Sequence, residues 1–135
     1  MGLDMYAYTA PADRFGDEDQ ADLNHLIFED GKAREGVDTE FAYWRKFNNL
    51  HGWMAELYYK KGGTSDVFNC TTVRLMPEDL DRLWNEAETL KPSNGFFWGD
   101  QEQMSPEDVS EVREFVSKAR GAIAEGKAVI YDSWW

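Results

Sequence analysis

Residues 41–61 read FAYWRKFNNLHGWMAELYYKK and predict the central helix of this protein. Within this stretch only Gly52 has a strong tendency to break a helix. The apolar side chains recur at steps of four or three, which places them on one helical face: Tyr43, Phe47, Leu50, Met54 and Leu57. About a quarter-turn around from that face lie Trp44 and His51. The spacing therefore predicts a helix with a core face and, on its flank, an aromatic and imidazole pair that borders a pocket.

The sequence outside this helix predicts an α+β fold in one domain spanning residues 1–135. Helical spacing or helix-start signals mark two further main helices, and β-branched or alternating residues mark the strands. The predicted strands are 3–9, 67–75, 96–98 and 128–135, and the two further helices begin at Pro77 and after Ser105. A short helix is expected near 22–28, and a mobile loop over 30–39. We expect a small, mostly antiparallel sheet of three to four strands, with the C-terminal strand paired to the N-terminal one.

Several features favour a soluble protein of a reducing compartment. The single cysteine, Cys70, cannot form an internal disulfide. The first residues, MGLDMY, lack the basic segment of a signal peptide, and no apolar run approaches the length of about 20 residues that crosses a bilayer. We therefore expect a cytoplasmic location and no membrane partner.

The net charge of −12 is unevenly distributed. Residues 1–40 carry eleven acids against three bases, whereas residues 41–61 carry four bases against one acid. Such a chain repels nucleic acid and anionic membranes on average, but it can bind a basic protein. The candidate partner-binding surface is the acidic cluster Asp17, Glu18, Asp19 and Asp22. Surface acids that only keep an aromatic-rich domain in solution are the alternative interpretation.

A candidate ligand pocket combines one acid, one base, one imidazole and aromatic walls. Its predicted members are Asp4, Tyr6, Trp44, Arg45 and His51. His51 is either a general base or a structural histidine hydrogen-bonded to the backbone, and Asp4 either binds ligand or forms an ion pair with Arg45, Arg74 or Lys46. No phosphate-binding loop or metal-ligand spacing is present, so no cofactor or metal is predicted and catalytic residues stay unassigned.

Five short motifs in chain order resemble a family of small uncharacterised proteins found mostly in phages and prophages. They are Met1-Gly2-Leu3-Asp4-Met5-Tyr6, Tyr43-Trp44-Arg45-Lys46, Leu50-His51-Gly52-Trp53, Gly95-Phe96-Phe97-Trp98-Gly99 and Ser133-Trp134. The resemblance implies a phage-encoded protein made inside a bacterium and brings no activity with it. Some family members carry the label phosphoglycerate kinase, which this chain does not fit because that enzyme is a much larger two-domain protein. Compared with the family, Trp98 replaces a Phe and the acidic segment 13–40 is longer.

Three functions are compatible with these residues. The first is a non-enzymatic acidic interaction protein that binds a host protein, which is favoured because no catalytic constellation stands out. The alternative is a small-molecule-binding protein or enzyme with a pocket around His51, Trp44 and Asp4. The third is a homo-oligomer whose aromatic side chains lie at a subunit interface.

Overall fold

The computed structural model describes residues 2–91 and 103–135, and in these ranges it confirms the α+β fold. The strands are β1 Asp4–Pro11, β2 Phe28–Glu29, β3 Lys32–Ala33, β4 Asp38–Arg45, β5 Val73–Leu75 and β6 Lys127–Trp134. The α-helices are α1 Asn24–Ile27, α2 Asn48–Lys60, α3 Pro77–Glu86 and α4 Pro106–Ala124. Single 3-10 turns at Ala12–Arg14 and Ala87–Thr89 follow β1 and α3.

The main sheet is antiparallel, with strand order β4-β1-β6-β5. The predicted pairing of the two terminal strands is confirmed, because β1 pairs with β6 along its whole length, from Asp4 opposite Trp134 to Pro11 opposite Lys127. A small second sheet consists of the hairpin β2-β3. Since β1 and β6 are the two inner strands, residues near both chain ends meet in the middle of the sheet.

One face of the sheet packs on the helices. Side chains alternate along β1, and Leu3, Met5 and Ala7 enter the larger core cluster. From α2 the cluster receives Leu50, Met54 and Leu57 among others, and from α4 it receives five buried side chains: Val112, Phe115, Val116, Ala119 and Ala122. Burial of one such aliphatic side chain contributes about 1.5–3 kcal/mol, so packing of the helices on the sheet is a major source of stability.

The opposite face of the sheet is covered along only part of its length. Ala10 and Ile130 pack against Phe15, Leu23 and Ile27 in a second, smaller core cluster. The hairpin continues this cover, because the Phe28 ring meets the Tyr8 ring edge-on at 5.6 Å. Tyr6 packs against the edge of this cluster, and Asp132 is buried beside it. The exposed side chains at this end of the face are Tyr43, Arg45 and Trp134.

The predicted helix over 41–61 is wrong in its first third. Residues 41–45 belong to β4, the left-handed residue Lys46 (φ 58°) makes the turn, and the helix begins at Asn48. Tyr43 is therefore exposed rather than part of the core stripe, while Leu50 and Met54 are buried as predicted. Aromatic and β-branched side chains suit an extended strand as well as one helical face, so a short run of them does not identify the element.

Three further predicted segments differ from the structure or lie outside the described residues. The predicted strand over 67–75 is reduced to Val73–Leu75, because Cys70 adopts φ 58° and interrupts extended pairing. The expected loop over 30–39 contains β3 and the start of β4. The predicted strand 96–98 lies outside the described residues. The start of α4 is as expected, since the Ser105 side chain accepts a hydrogen bond from the Asp108 amide.

Candidate functional site

Six side chains lie in two rows on the outer sheet face. Tyr43, Arg45 and Trp134 are exposed, Asp4 and Tyr6 are half-buried, and Asp132 is buried. In the first row Asp4 of β1 lies between Arg45 of β4 and Trp134 of β6. In the second row Tyr6 lies between Tyr43 and Asp132. Directly paired residues of antiparallel strands project to the same side of the sheet, so each row forms a cross-strand group. We call these residues the sheet platform: Asp4, Tyr6, Tyr43, Arg45, Asp132 and Trp134.

The first carboxylate of the platform is Asp4. Its Oδ1 accepts a hydrogen bond of 2.6 Å from the Tyr43 hydroxyl and one of 3.2 Å from Arg45 Nη1. The hydrogen bond to the carboxylate raises the pKa of the Tyr43 phenol. Arg45 is thus the ion-pair partner that the sequence left open among three candidates. Because the Arg45 side chain is 57% exposed, this ion pair contributes little to stability, about 0.2–1 kcal/mol.

The second carboxylate of the platform belongs to Asp132, which is buried. Its Oδ2 accepts a hydrogen bond of 3.0 Å from the Tyr8 hydroxyl, and its Oδ1 accepts one of 2.8 Å from the Ser133 amide. Burial raises the pKa of Asp132 to about 6, although both hydrogen bonds act to lower it. Among residues 2–91 and 103–135, no Lys or Arg forms an ion pair with this carboxylate. Asp132 is therefore a carboxylate held by neutral donors alone.

Aromatic rings line the platform between these acids. The Tyr6 ring lies 5.4 Å from the Tyr43 ring and 6.2 Å from the Tyr8 ring, measured between centroids. Trp134 and Tyr43 are 63% and 55% exposed, and they are two of the four most exposed large apolar side chains in the part of the chain described. Exposed aromatic residues on a rigid central sheet are typical of a recognition surface.

Trp44 and His51 lie away from the rest of the predicted pocket. Both are buried on the helical side of the sheet, where Trp44 belongs to the larger core cluster and its ring packs edge-on against Phe115 at 4.9 Å. His51 Nδ1 lies 2.7 Å from the Tyr131 hydroxyl, and its ring centroid is 5.0 Å from that of Phe68. Burial lowers the pKa of His51 to about 3, so the imidazole is neutral at pH 7.

The structure therefore brings together three of the five predicted pocket residues, Asp4, Tyr6 and Arg45, on the platform. The predicted neighbours Trp44 and His51 are not adjacent on one helix, because Trp44 belongs to β4. Trp44 and Arg45 do border one shallow cleft at the β4 edge, together with Asp108 and Glu111. Its volume of about 240 Å³ is below the range of about 300–1,000 Å³ that is usual for small-molecule pockets.

The predicted acidic surface is only partly available for a partner. Asp17 and Glu18 are exposed, but Asp19 Oδ2 accepts a hydrogen bond of 2.7 Å from the Gly16 amide. Asp22 accepts hydrogen bonds from the Tyr58 hydroxyl, and from the amide and hydroxyl of Thr64 at 3.0 and 2.9 Å. Burial acts to raise the pKa of Asp22, and these three hydrogen bonds outweigh it and lower the pKa. Asp22 thus fixes the chain to the end of α2.

Three platform residues were missed by the pocket prediction: Tyr43, Asp132 and Trp134. The helical spacing predicts Tyr43 in the core stripe, whereas in the structure Tyr43 belongs to β4. The signal for Asp132 is present in the sequence, since an acid two residues from Ile130 in an apolar terminal strand needs a partner or a function. Its pairing with Tyr6 depends on strand register, which short-range spacing does not specify.

Comparison with known proteins provides no relative for this chain. It matches none of the protein families, curated proteins or solved structures with which it was compared. The ranges 2–91 and 103–135 contain no group of three or more His, Cys, Asp or Glu residues that could hold a metal ion. In the same ranges, every helix is too short or too polar to cross a bilayer.

Proposed function

We propose that this protein is a non-enzymatic, acidic interaction protein that binds a host protein through the sheet platform. The resemblance to phage and prophage proteins leads to the further proposal that it acts in the cytoplasm of a bacterium. The observation that carries the proposal is the exposure of Trp134, Tyr43 and Arg45 close together on one sheet face. Trp, Tyr and Arg are the residue types that most often dominate the binding energy of protein interfaces.

The position of the platform adds support. Its residues come from three adjacent strands that are hydrogen-bonded to one another, and the hairpin borders them at Tyr8 and Phe28. A preformed rigid surface loses little conformational entropy when a partner binds. The partner we propose presents a basic surface, because the net charge of −12 attracts cations and repels nucleic acid. The exposed acids Asp17 and Glu18 extend this attraction beyond the platform.

Affinity capture with matched variants tests this function. We expect the wild-type protein to capture a specific protein from a lysate of its host bacterium, and the double variant Tyr43→Ser/Trp134→Ser to lose it. The control is Tyr59→Ser, which removes another exposed aromatic ring, on α2 and away from the platform. Purified partner then gives the affinity of all three proteins by calorimetry. Equal affinity of the double variant and the control would refute binding through the platform.

Analytical ultracentrifugation distinguishes binding to a host protein from self-association of this chain. Self-association through the platform corresponds to the third function that is compatible with the sequence, a homo-oligomer. We expect a monomer at micromolar concentration. A wild-type dimer that the double variant dissociates, with no captured host protein, would replace the proposed function with self-association.

A further inference from the structure

The platform has an excess of negative charge and open π faces. Its carboxylates, Asp4 and Asp132, outnumber its single cation, Arg45. Rings of Tyr6, Tyr43 and Trp134 lie beside them in the two rows. The faces of aromatic rings attract cations within about 6 Å of the ring centroid, most strongly for Trp. The combination of carboxylates and open rings is therefore complementary to a positive charge.

The hydrogen bonds leave acceptor capacity on both acids. Asp4 receives its Tyr43 and Arg45 contacts on Oδ1 alone, and within the described part of the chain its Oδ2 accepts no hydrogen bond. Among the described residues, Asp132 accepts hydrogen bonds from the Tyr8 hydroxyl and the Ser133 amide alone. A carboxylate withdrawn from water without a cation is costly, and a bound cation would offset that cost. Both acids thus favour a ligand that supplies positive charge and hydrogen-bond donors.

The dimensions of the platform suit one side chain. Adjacent strands lie about 4.8 Å apart and alternate residues along a strand about 6.8 Å apart, so three strands and two rows span about 10 by 7 Å. Trp134 is largely exposed and lies directly opposite Asp4 on the neighbouring strand, so a planar guanidinium is of a size to contact the Trp134 ring and the Asp4 carboxylate together. An ammonium group can make the same two contacts with a single charged centre.

We infer that the sheet platform binds a cationic side chain, the guanidinium of Arg or the ammonium of Lys, that projects from a basic segment of the partner protein. This inference rests on the proposed function, and it names the chemical group of the partner that the same surface binds. An anionic ligand would meet two carboxylates and an Arg45 guanidinium already bound to Asp4. A neutral aromatic ligand would supply no positive charge to the Asp4 and Asp132 carboxylates.

A short peptide tests the inference without knowledge of the partner. The probe is acetyl-Gly-Arg-Gly-Arg-Gly-amide, and its matched control replaces each arginine by citrulline, which has the same shape and no charge. We expect the arginine peptide to shift the Trp134 indole N–H and the backbone amides of 4–6 and 132–134 in two-dimensional NMR spectra. The citrulline peptide should bind at least about tenfold more weakly, since a charge-assisted contact contributes about 1.5–3 kcal/mol.

Two variants locate the binding site. Asp4→Asn should weaken binding of the arginine peptide about tenfold, whereas Asp17→Asn, the same change at an exposed acid outside the platform, should change the affinity by less than about twofold. Trp134→Leu keeps an apolar side chain and removes the π face, so it should weaken binding about three- to fivefold. Trp134→Leu decides the question if Asp4→Asn loses its folded spectrum, because the Trp134 side chain is largely exposed.

The outcomes separate this inference from the proposed function. Equal binding of the arginine and citrulline peptides, or unchanged binding by both Asp4→Asn and Trp134→Leu, would overturn the cation site. If the captured partner nevertheless depends on Tyr43 and Trp134, the platform remains the interface and only its ligand chemistry is wrong. Partner capture that is independent of the platform would overturn the proposed function, whichever peptide binds.

Discussion

His51 lies on α2 with 1% of its surface exposed, and its Nδ1 is 2.7 Å from the Tyr131 hydroxyl. An imidazole in this position loses the water that would stabilise its charged form, which is why its pKa falls to about 3. A general base for an outside substrate needs a proton-accepting nitrogen within reach of that substrate. The contacts of His51 instead join α2 to β6, so its role is structural.

Replacement of this histidine should destabilise the protein strongly. His51→Ala removes the imidazole partner of the Tyr131 hydroxyl and leaves a cavity, so we expect a loss of about 2–4 kcal/mol in the free energy of unfolding. Urea denaturation measures this loss. His25→Ala, at the exposed histidine of α1, is the matched control and should change stability by less than about 0.5 kcal/mol. Equal stability of the two variants would contradict the structural role.

At the scale of elements, the sequence predicts helices and strands well where the local signals are unambiguous. Alternation of Leu3, Met5 and Ala7 with Tyr6 and Tyr8 identified β1 and both of its faces. The proline and acids after Ser105 identified the start of α4. Both signals come from residues a few positions apart, where backbone geometry alone decides which side chains share a face.

The junction of β4 and α2 was not predictable in the same way. Tyr43 and Phe47 are four residues apart, which continues the helical spacing of Leu50 and Met54, yet tertiary pairing with β1 makes Tyr43 extended. Lys46 makes the turn with a positive φ, and the sequence does not indicate this because a lysine is not typical of that conformation. The platform was found only in part for the same reason, because its rows depend on strand register.

A loop anchor provides the prediction at this scale. Asp22, itself left-handed with φ 59°, accepts hydrogen bonds from Tyr58 of α2 and from Thr64 beyond it. We expect Asp22→Ala to lower the free energy of unfolding by about 2–3 kcal/mol, because hydrogen bonds to a charged acceptor are lost. Asp17→Ala at the exposed end of the same acidic cluster should cost less than about 0.5 kcal/mol in the same urea titration. Similar losses would mean that Asp22 is not an anchor.

At the scale of the whole molecule, the acids divide into two classes. Asp22 and Asp79 are held by donors of other elements, the latter by Lys61 at the end of α2. Exposed acids such as Asp17 and Glu18 do not connect elements in this way, and they contribute to the negative electrostatic potential around the protein. The net charge of −12 therefore overstates the acidic surface that is free of structural contacts, which is why we propose the platform rather than the acidic segment as the recognition surface.

Stability against pH should reveal two buried groups with opposite effects. The folded pKa of Asp132 is about 6, above its ordinary 3.8, so the native state binds more protons and stability falls as pH rises from about 4 to 6. The folded pKa of His51 is about 3, below its ordinary 6.5, so the unfolded state binds more protons and stability falls as pH drops below 6.5. Between pH 4 and 6 the two contributions oppose each other.

Single substitutions should expose each contribution in turn. Asp132→Asn removes the acid and leaves His51, so its stability should decrease on acidification by up to about 1.4 kcal/mol per pH unit relative to wild type. His51→Gln removes the histidine and leaves Asp132, so the stability of this variant should increase relative to wild type as the pH is lowered over the same interval. Urea midpoints at half-unit steps from pH 4 to 7 give both profiles, and all other carboxylates cancel because the variants share them. Parallel profiles would show that neither group is buried as the fold requires.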